Sequence, residues 1–189
     1  IAIDAAAFAL LDFVRNTNLR AVIAQKIVAR SSFITHRRSP RRGEPASETM
    51  IDKIVSSLDA AVAGIHDGAT VMIGGFGTAG MPNHLIDALI AQGARDLTIV
   101  NNNAGNGETG LAALLKAKRV KKIICSFPRQ ADSQVFDALY QAGEIELELV
   151  PQGNLAARIQ AAGAGLGVIF TPTGYGTLLA EGKETRRIG

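Results

Sequence analysis

Apolar runs of strand length alternate with stretches of helical periodicity from residue 51 to the end of the chain. The run of Val71, Met72 and Ile73 is continuously apolar, which is typical of a strand buried on both faces of a sheet. Alternation of this kind predicts an α/β fold with a mostly parallel sheet and helices on both faces. The pattern predicts helices over 51–65, 83–92, 108–117, 132–141 and 154–164, and strands over 70–74, 97–100, 121–125, 146–149 and 167–170.

A polar or glycine-rich segment follows every predicted strand. The carboxyl ends of parallel strands lie along the same edge of a sheet, where ligands bind in open α/β folds. The sequence therefore predicts one rim built by five loops, at 74–75, 101–105, 126–130, 151–153 and 171–176.

The first of these loops is rich in glycine, which lets backbone approach a ligand and point N–H groups at an anion or a carbonyl oxygen. Residues 75–80 also match Gly-x-Gly-x-x-Gly, so a dinucleotide-binding oxidoreductase is one alternative. However, the strand over 97–100 ends in three asparagines rather than the acidic residue that would bind a ribose. The candidate binding residues of the loop are Gly74, Gly75, Phe76, Gly77, Thr78, Ala79 and Gly80.

The rim offers amide and backbone donors but no nucleophile with its base. The three histidines fall outside the loops, and no Cys/His spacing predicts a metal site. Cys125 ends an apolar run and is expected to be a buried thiol, while Glu108 is expected in the first turn of a helix. Neutral donors suit stabilisation of an oxyanion, so the group that forms bonds must come from elsewhere.

Five motifs in this order resemble the family I coenzyme A-transferases, over residues 50–189 almost without a break. Residues 125–130, Cys-Ser-Phe-Pro-Arg-Gln, are similar to the A subunit of its 3-oxoadipate branch, with the acetoacetate branch as the alternative. The motifs are 67–82, 102–108, 125–130, 150–155 and 172–177.

The resemblance implies a ping-pong transfer of CoA from succinyl-CoA to a 3-oxo acid, through a glutamyl-CoA thioester on a partner B subunit. The Ser-Glu-Asn-Gly motif that accompanies the glutamate in that partner is absent here. The resemblance also implies a CoA thioester as substrate and no permanently bound cofactor. Gln152 and Gly153 of Pro-Gln-Gly would lie at the reacting carbonyl, beside Asn102 and Asn103.

Arg129 is a hypothesis of our own. 3-oxoadipate carries a second carboxylate that acetoacetate lacks, and a guanidinium near the rim could bind it with two hydrogen bonds. The alternative for Arg129 is a surface salt bridge.

Charge and composition narrow the function further. The net charge of +3 comes from the first 49 residues, which hold eight of the 20 basic and four of the 17 acidic residues, so the remainder is nearly neutral and predicts no nucleic-acid site. No apolar run is long enough to span a membrane, and a single cysteine fits the reducing cytoplasm. A non-catalytic, ligand-binding regulator remains another alternative.

The domain organisation predicted is an extension over 1–49 and a transferase domain over 50–189. The extension contains a possible amphipathic helix over 4–29 and then a segment rich in Ser, Arg and Pro; it is expected to be disordered or foreign to the natural protein. By comparison with the family, the domain is expected to be incomplete at its C-terminal end.

Overall fold

The structure is a computed structural model that describes residues 2–3, 22–23 and 54–187. It has seven strands and five α-helices in this part of the chain. The strands are β1 Ala2–Ile3, β2 Val22–Ile23, β3 Thr70–Ile73, β4 Leu97–Val100, β5 Val120–Cys125, β6 Glu146–Leu149 and β7 Phe170–Thr171. The helices are α1 Leu58–Val62, α2 Asn83–Gln92, α3 Leu111–Lys116, α4 Gln134–Gln141 and α5 Gln152–Gly163, followed by a short 3₁₀ turn at Leu178–Ala180.

Strands β2 to β6 form one parallel sheet in which chain order and spatial order agree. Ile99 of β4 lies between Val71 of β3 and Ile123 of β5, and Ile123 lies beside Leu147 of β6. A helix joins each consecutive pair from β3 onward, so the strands point the same way and their carboxyl ends lie together. The predicted α/β class and parallel sheet are confirmed.

Helices cover both faces of the sheet, but unequally. On one face, α1 to α4 pack over a large apolar core that includes Val71, Ile99 and Ile123. On the other face, α5 contributes Leu155 to a small cluster with Val100 and Val150. Alternate residues of a strand point to opposite faces. The helix α5 therefore rests on far less apolar surface than its counterparts do.

The bounds of four predicted helices differ from the structure, and one of them, α4, begins at Gln134 rather than at residue 132. The helix over 51–65 is reduced to α1 among the described residues, because Ser57 is its N-cap and accepts a hydrogen bond from Ala60 N at 3.1 Å. The helix over 108–117 begins only at Leu111, since Gly110 has φ of +57° and a non-helical backbone. In contrast, α5 begins two residues early, directly after Pro151.

The prediction for the last strand is wrong. Residues 167–170 are predicted to continue the parallel sheet, but β7 covers Phe170–Thr171 and pairs antiparallel with β1 in a separate two-stranded sheet. The predicted helix over 4–29 is contradicted at β2, which pairs with Met72 and Ile73. Its other residues lie outside the described part of the chain, and the domain boundary at residue 50 stays a prediction. No helix within the described residues is long and apolar enough to cross a membrane.

Candidate functional site

The loops at the carboxyl edge of the sheet are joined by asparagine side chains. Asn101 Nδ2 donates to Ile73 O at 2.6 Å, which ties the end of β4 to the end of β3. Asn103 Nδ2 donates to Gly77 O at 3.2 Å, and its backbone forms a bridge with Phe127 after β5. The predicted convergence of these loops on one rim is thus confirmed by hydrogen bonds.

The glycine loop after β3 is a closed turn. Phe76 and Ala79 exchange two backbone hydrogen bonds of 3.0 Å, with Gly77 at φ of +61° between them. A Cβ at Gly75 would lie 3.3 Å from both Ala79 O and Met81 N, so this position has little room for a side chain. The helix that follows begins only at Asn83. The loop therefore lacks the direct passage into a helix that a dinucleotide fingerprint requires.

The central feature of the rim is a polar cluster of Asn102, Ser126 and Gln152, hereafter the amide cluster. Asn102 Nδ2 donates to Gln152 Oε1 at 3.0 Å and to Ser126 Oγ at 3.2 Å. Ser126 Oγ lies 2.5 Å from Gln152 Oε1. Each member follows a different strand, so the cluster exists only in the folded sheet.

Gln152 stands at the start of α5 with its side chain exposed. Its Nε2 donates to no residue in the part of the chain that the structure describes, whereas Oε1 accepts from both neighbours. The carboxamide therefore presents a donor outward, at the positive end of a twelve-residue helix. Such a donor can stabilise an oxyanion that forms in front of it.

The first turn of α5 is fixed by the loop that follows β7. A Cβ at Gly153 would lie 3.0 Å from Thr173 Oγ1, which leaves almost no room for a side chain there. Asn154, which is 5% exposed, donates from Nδ2 to Thr173 O at 3.3 Å. These contacts hold the helix start, and with it Gln152, against a fifth loop of the rim.

A charged cluster attaches the middle of α5 to the sheet. The Arg158 side chain is 6% exposed and donates to Glu148 Oε1 at 3.0 Å, while Lys122 Nζ lies 2.7 Å from Glu148 Oε2. Burial by itself would raise the pKa of Glu148. The hydrogen bonds and charges of Lys122 and Arg158 outweigh it and hold the pKa below its ordinary value of 4.5.

Arg129 lies in the loop after β5, with its side chain 62% exposed. Its Nε donates to Asp137 Oδ1 at 2.8 Å, and Ser133 Oγ donates to the other carboxylate oxygen at 3.3 Å. The salt bridge that is the alternative for Arg129 is therefore present. Asp137 engages Nε, and within the described part of the chain neither terminal nitrogen donates to another residue.

The remaining candidates have simpler environments. Glu108 lies in the turn before α3, not in its first helical turn as expected, and pairs with Lys116. Cys125 is fully buried, as predicted, and burial raises the pKa of its thiol to about 12. His66 and His84 are both exposed. The described residues contain no cluster of three His, Cys, Asp or Glu that could hold a metal ion.

The three asparagines that follow β4 have different environments in the structure. Asn103 is completely buried and Asn101 is 3% exposed, so both act on the loops around them. Only Asn102 joins the amide cluster. Ser126 and Asn101 were not among the predicted site residues. Each is the first residue after a strand. The alternation of side chains along a strand does not predict which way a residue points once the strand has ended.

Comparisons with known proteins agree with this architecture. The chain is 72% identical over 139 residues to the A subunit of 3-oxoadipate CoA-transferase from Pseudomonas putida, which covers 74% of this chain and 60% of the relative. It is 44% identical over 136 residues to the A subunit of succinyl-CoA:3-ketoacid coenzyme A transferase from Helicobacter pylori, covering 72% of this chain and 58% of that protein. The chain thus spans about 60% of the length of these two relatives.

A solved structure and a family description complete the comparison. The crystal structure of the decarboxylase AibA/AibB, in a cysteine-to-serine variant, superimposes with a TM-score of 0.50 at 27% identity, over 58% of this chain and 43% of that one. The model of the Coenzyme A transferase family matches residues 55–189, which is most of the chain and includes every loop of the rim. The predicted family is confirmed: this chain belongs to the Coenzyme A transferase family.

Proposed function

We propose that this chain is the A subunit of a heteromeric CoA-transferase that moves CoA from succinyl-CoA to a 3-oxo acid, with 3-oxoadipate as the acceptor. The chain is 72% identical to relatives named as the A subunit of 3-oxoadipate CoA-transferase, against 44% to a 3-ketoacid relative, and this difference supports the choice of acceptor. The catalytic glutamate belongs to a partner B subunit.

One observation carries the proposal: the outward donor of Gln152 within the amide cluster. Acyl transfer from a thioester passes through tetrahedral oxyanions, and a fixed neutral donor stabilises them without requiring a proton transfer. Asn102 and Ser126 occupy Gln152 Oε1, so Nε2 is left to meet the developing charge. The backbone of residues 74–80, which is tied to the rim by the hydrogen bond from Asn103 Nδ2 to Gly77 O, is proposed to border the space for the acyl group.

The proposed transfer of CoA takes place in two half-reactions, each with two acyl-exchange steps. A glutamate carboxylate of the partner attacks the carbonyl of succinyl-CoA, the CoA thiolate leaves, and a mixed anhydride forms. The thiolate then attacks the glutamyl carbonyl and releases succinate, which leaves a glutamyl-CoA thioester. The same two steps in reverse, with the carboxylate of 3-oxoadipate as nucleophile, pass CoA to the acceptor and restore the glutamate.

Arg129 is proposed to bind the distal carboxylate of the acceptor. Its guanidinium is held at Nε by Asp137, and the fixed plane would direct the terminal nitrogens toward a ligand. This assignment would explain how a dicarboxylic acceptor is distinguished from acetoacetate.

We propose that no cofactor is permanently bound, because CoA enters and leaves as part of the substrate. A cytoplasmic location fits the same chemistry, since succinyl-CoA is an intracellular metabolite of the acyl-CoA type. A buried, unpaired Cys125 also fits a reducing compartment.

The experiment that tests the function is CoA exchange from succinyl-CoA to 3-oxoadipate or acetoacetate. This chain would be assayed alone and after co-expression with its partner. Exchange only in the mixture, with 3-oxoadipate preferred, is the expected result. A preference for acetoacetate would overturn the proposed acceptor, and a folded complex that exchanges no CoA would overturn the transferase.

A further inference from the structure

The Ser126 hydroxyl lies near two possible acceptors, and only one of them has a lone pair free for its proton. Its oxygen lies 3.1 Å from Asn102 O and 2.5 Å from Gln152 Oε1. Asn102 O already accepts from the backbone N–H groups of Ser126 at 3.2 Å and Phe127 at 3.0 Å. Since a carbonyl oxygen has two lone pairs, the hydroxyl proton is directed to Gln152 Oε1.

The orientation of the Gln152 carboxamide follows from this proton. Oε1 accepts from Ser126 Oγ and from Asn102 Nδ2, which occupy both of its lone pairs. Asn102 turns its Nδ2 toward Gln152, and with Asn102 in this orientation a half rotation of the Gln152 carboxamide would bring the two NH₂ groups together, donor against donor. The two neighbours therefore hold Oε1 toward the sheet and Nε2 toward the open rim.

We infer that Ser126 is a positioning residue for Gln152, an inference that rests on the proposed function. Gln152 is exposed and has three rotatable side-chain bonds, so its rotamer must be fixed by contacts at its tip. Without the Ser126 proton, only Asn102 retains Oε1, and Nε2 spends less time where the oxyanion forms. Ser126 acts through Gln152 and does not touch the reacting atoms.

The test is a double-mutant cycle on CoA exchange by the complete complex of this chain and its partner. Ser126→Ala is expected to lower kcat about tenfold to thirtyfold, with KM for succinyl-CoA changed by less than about twofold, because a displaced donor affects the transition state more than binding. Ser126→Thr keeps the hydroxyl and should recover most of the lost kcat. In a Gln152→Ala background, Ser126→Ala should change kcat by less than about twofold.

Ser57→Ala is the matched control. Its hydroxyl oxygen accepts a hydrogen bond from Ala60 N and caps α1, away from the rim. It should lower the unfolding midpoint and leave kcat unchanged. An unchanged kcat for Ser126→Ala, or an equal loss in both backgrounds, would overturn the inference. A wild-type complex without exchange would overturn the proposed function itself, and this inference with it.

Discussion

At the scale of single residues, the rim contains two kinds of polar residue. Some are buried and shape the loops, and one is exposed where a ligand could reach it. Asn101 and Asn103 are buried and hold neighbouring backbone, whereas the Gln152 side chain is exposed and is hydrogen-bonded through its Oε1. We expect the first kind to affect folding when changed and the second to affect catalysis. The two effects can be measured separately.

Replacement of Gln152 by Ala should lower kcat for CoA exchange about a hundredfold, the typical cost of removing one oxyanion donor. Stability should change by less than about 0.5 kcal/mol, because the side chain is exposed. Gln160→Ala is the control, since Gln160 is an exposed glutamine on the same helix. Steady-state kinetics and urea unfolding of the complex measure the two effects; equal activity of the two variants would remove Gln152 from the mechanism.

Replacement of Arg129 by Met should raise KM for 3-oxoadipate about tenfold and leave KM for acetoacetate within about twofold, because only the dicarboxylic acceptor loses a charge-assisted pair. The exposed Arg95 provides a control, Arg95→Met, that removes the same charge from the other end of the sheet. Equal losses with both acceptors would mean that Arg129 serves only its salt bridge with Asp137.

At the scale of elements, α5 is the helix whose attachment matters most for the site. It carries Gln152, yet its apolar contact with the sheet is the small cluster around Leu155. The ion pair of the buried Arg158 with the half-buried Glu148 supplements that contact, with Lys122 on the second carboxylate oxygen. The position of the helix therefore depends on charge as well as on burial.

Replacement of Glu148 by Gln should lower the free energy of unfolding near neutral pH by about 1–3 kcal/mol, because a buried guanidinium loses its carboxylate partner. The pKa of Glu148 is lowered by folding, so its contribution is complete above the ordinary value of 4.5 and is lost as the pH falls through the folded pKa. The difference between wild type and variant should accordingly shrink in acid.

Urea unfolding across this pH range measures the effect of Glu148. Glu146→Gln is the control, because Glu146 lies exposed on the same strand and should cost less than about 0.5 kcal/mol. If the two variants unfold alike at neutral pH, or if the Glu148 difference persists in acid, the ion pair does not hold α5.

At the scale of the whole molecule, Cys125 reports on the integrity of the main core. It ends a central strand, is fully buried, and has a pKa raised to about 12 by burial. We expect native protein to resist alkylation by iodoacetamide at mildly alkaline pH and unfolded protein to react quickly. Mass spectrometry of samples along a urea series measures the extent of Cys125 alkylation in the native and the unfolded protein. Rapid labelling in the native state would contradict the burial of β5.

The elements predicted most accurately are those whose ends are marked by residues that start or terminate a helix. Helix α2 begins after Pro82 and ends at Gly93, whose φ of +98° only glycine adopts readily, and its bounds agree with the prediction. Helix α1 is shorter because Ser57 takes the cap position. The prediction for the last strand is wrong because its pairing partner, β1, lies far away in the chain and leaves no local signal.

The sequence alone determined the parallel sheet, the rim of loops and the family, because hydrophobic periodicity and short motifs are properties of neighbouring residues. It also placed Gln152 and Asn102 among the candidates. Only the tertiary structure decided that Asn103 is buried, that Asp137 holds Arg129, and that Ser126 reaches Gln152 across 26 positions of the chain. The reason is register: adjacent parallel strands end side by side, and that alignment fixes which distant side chains meet.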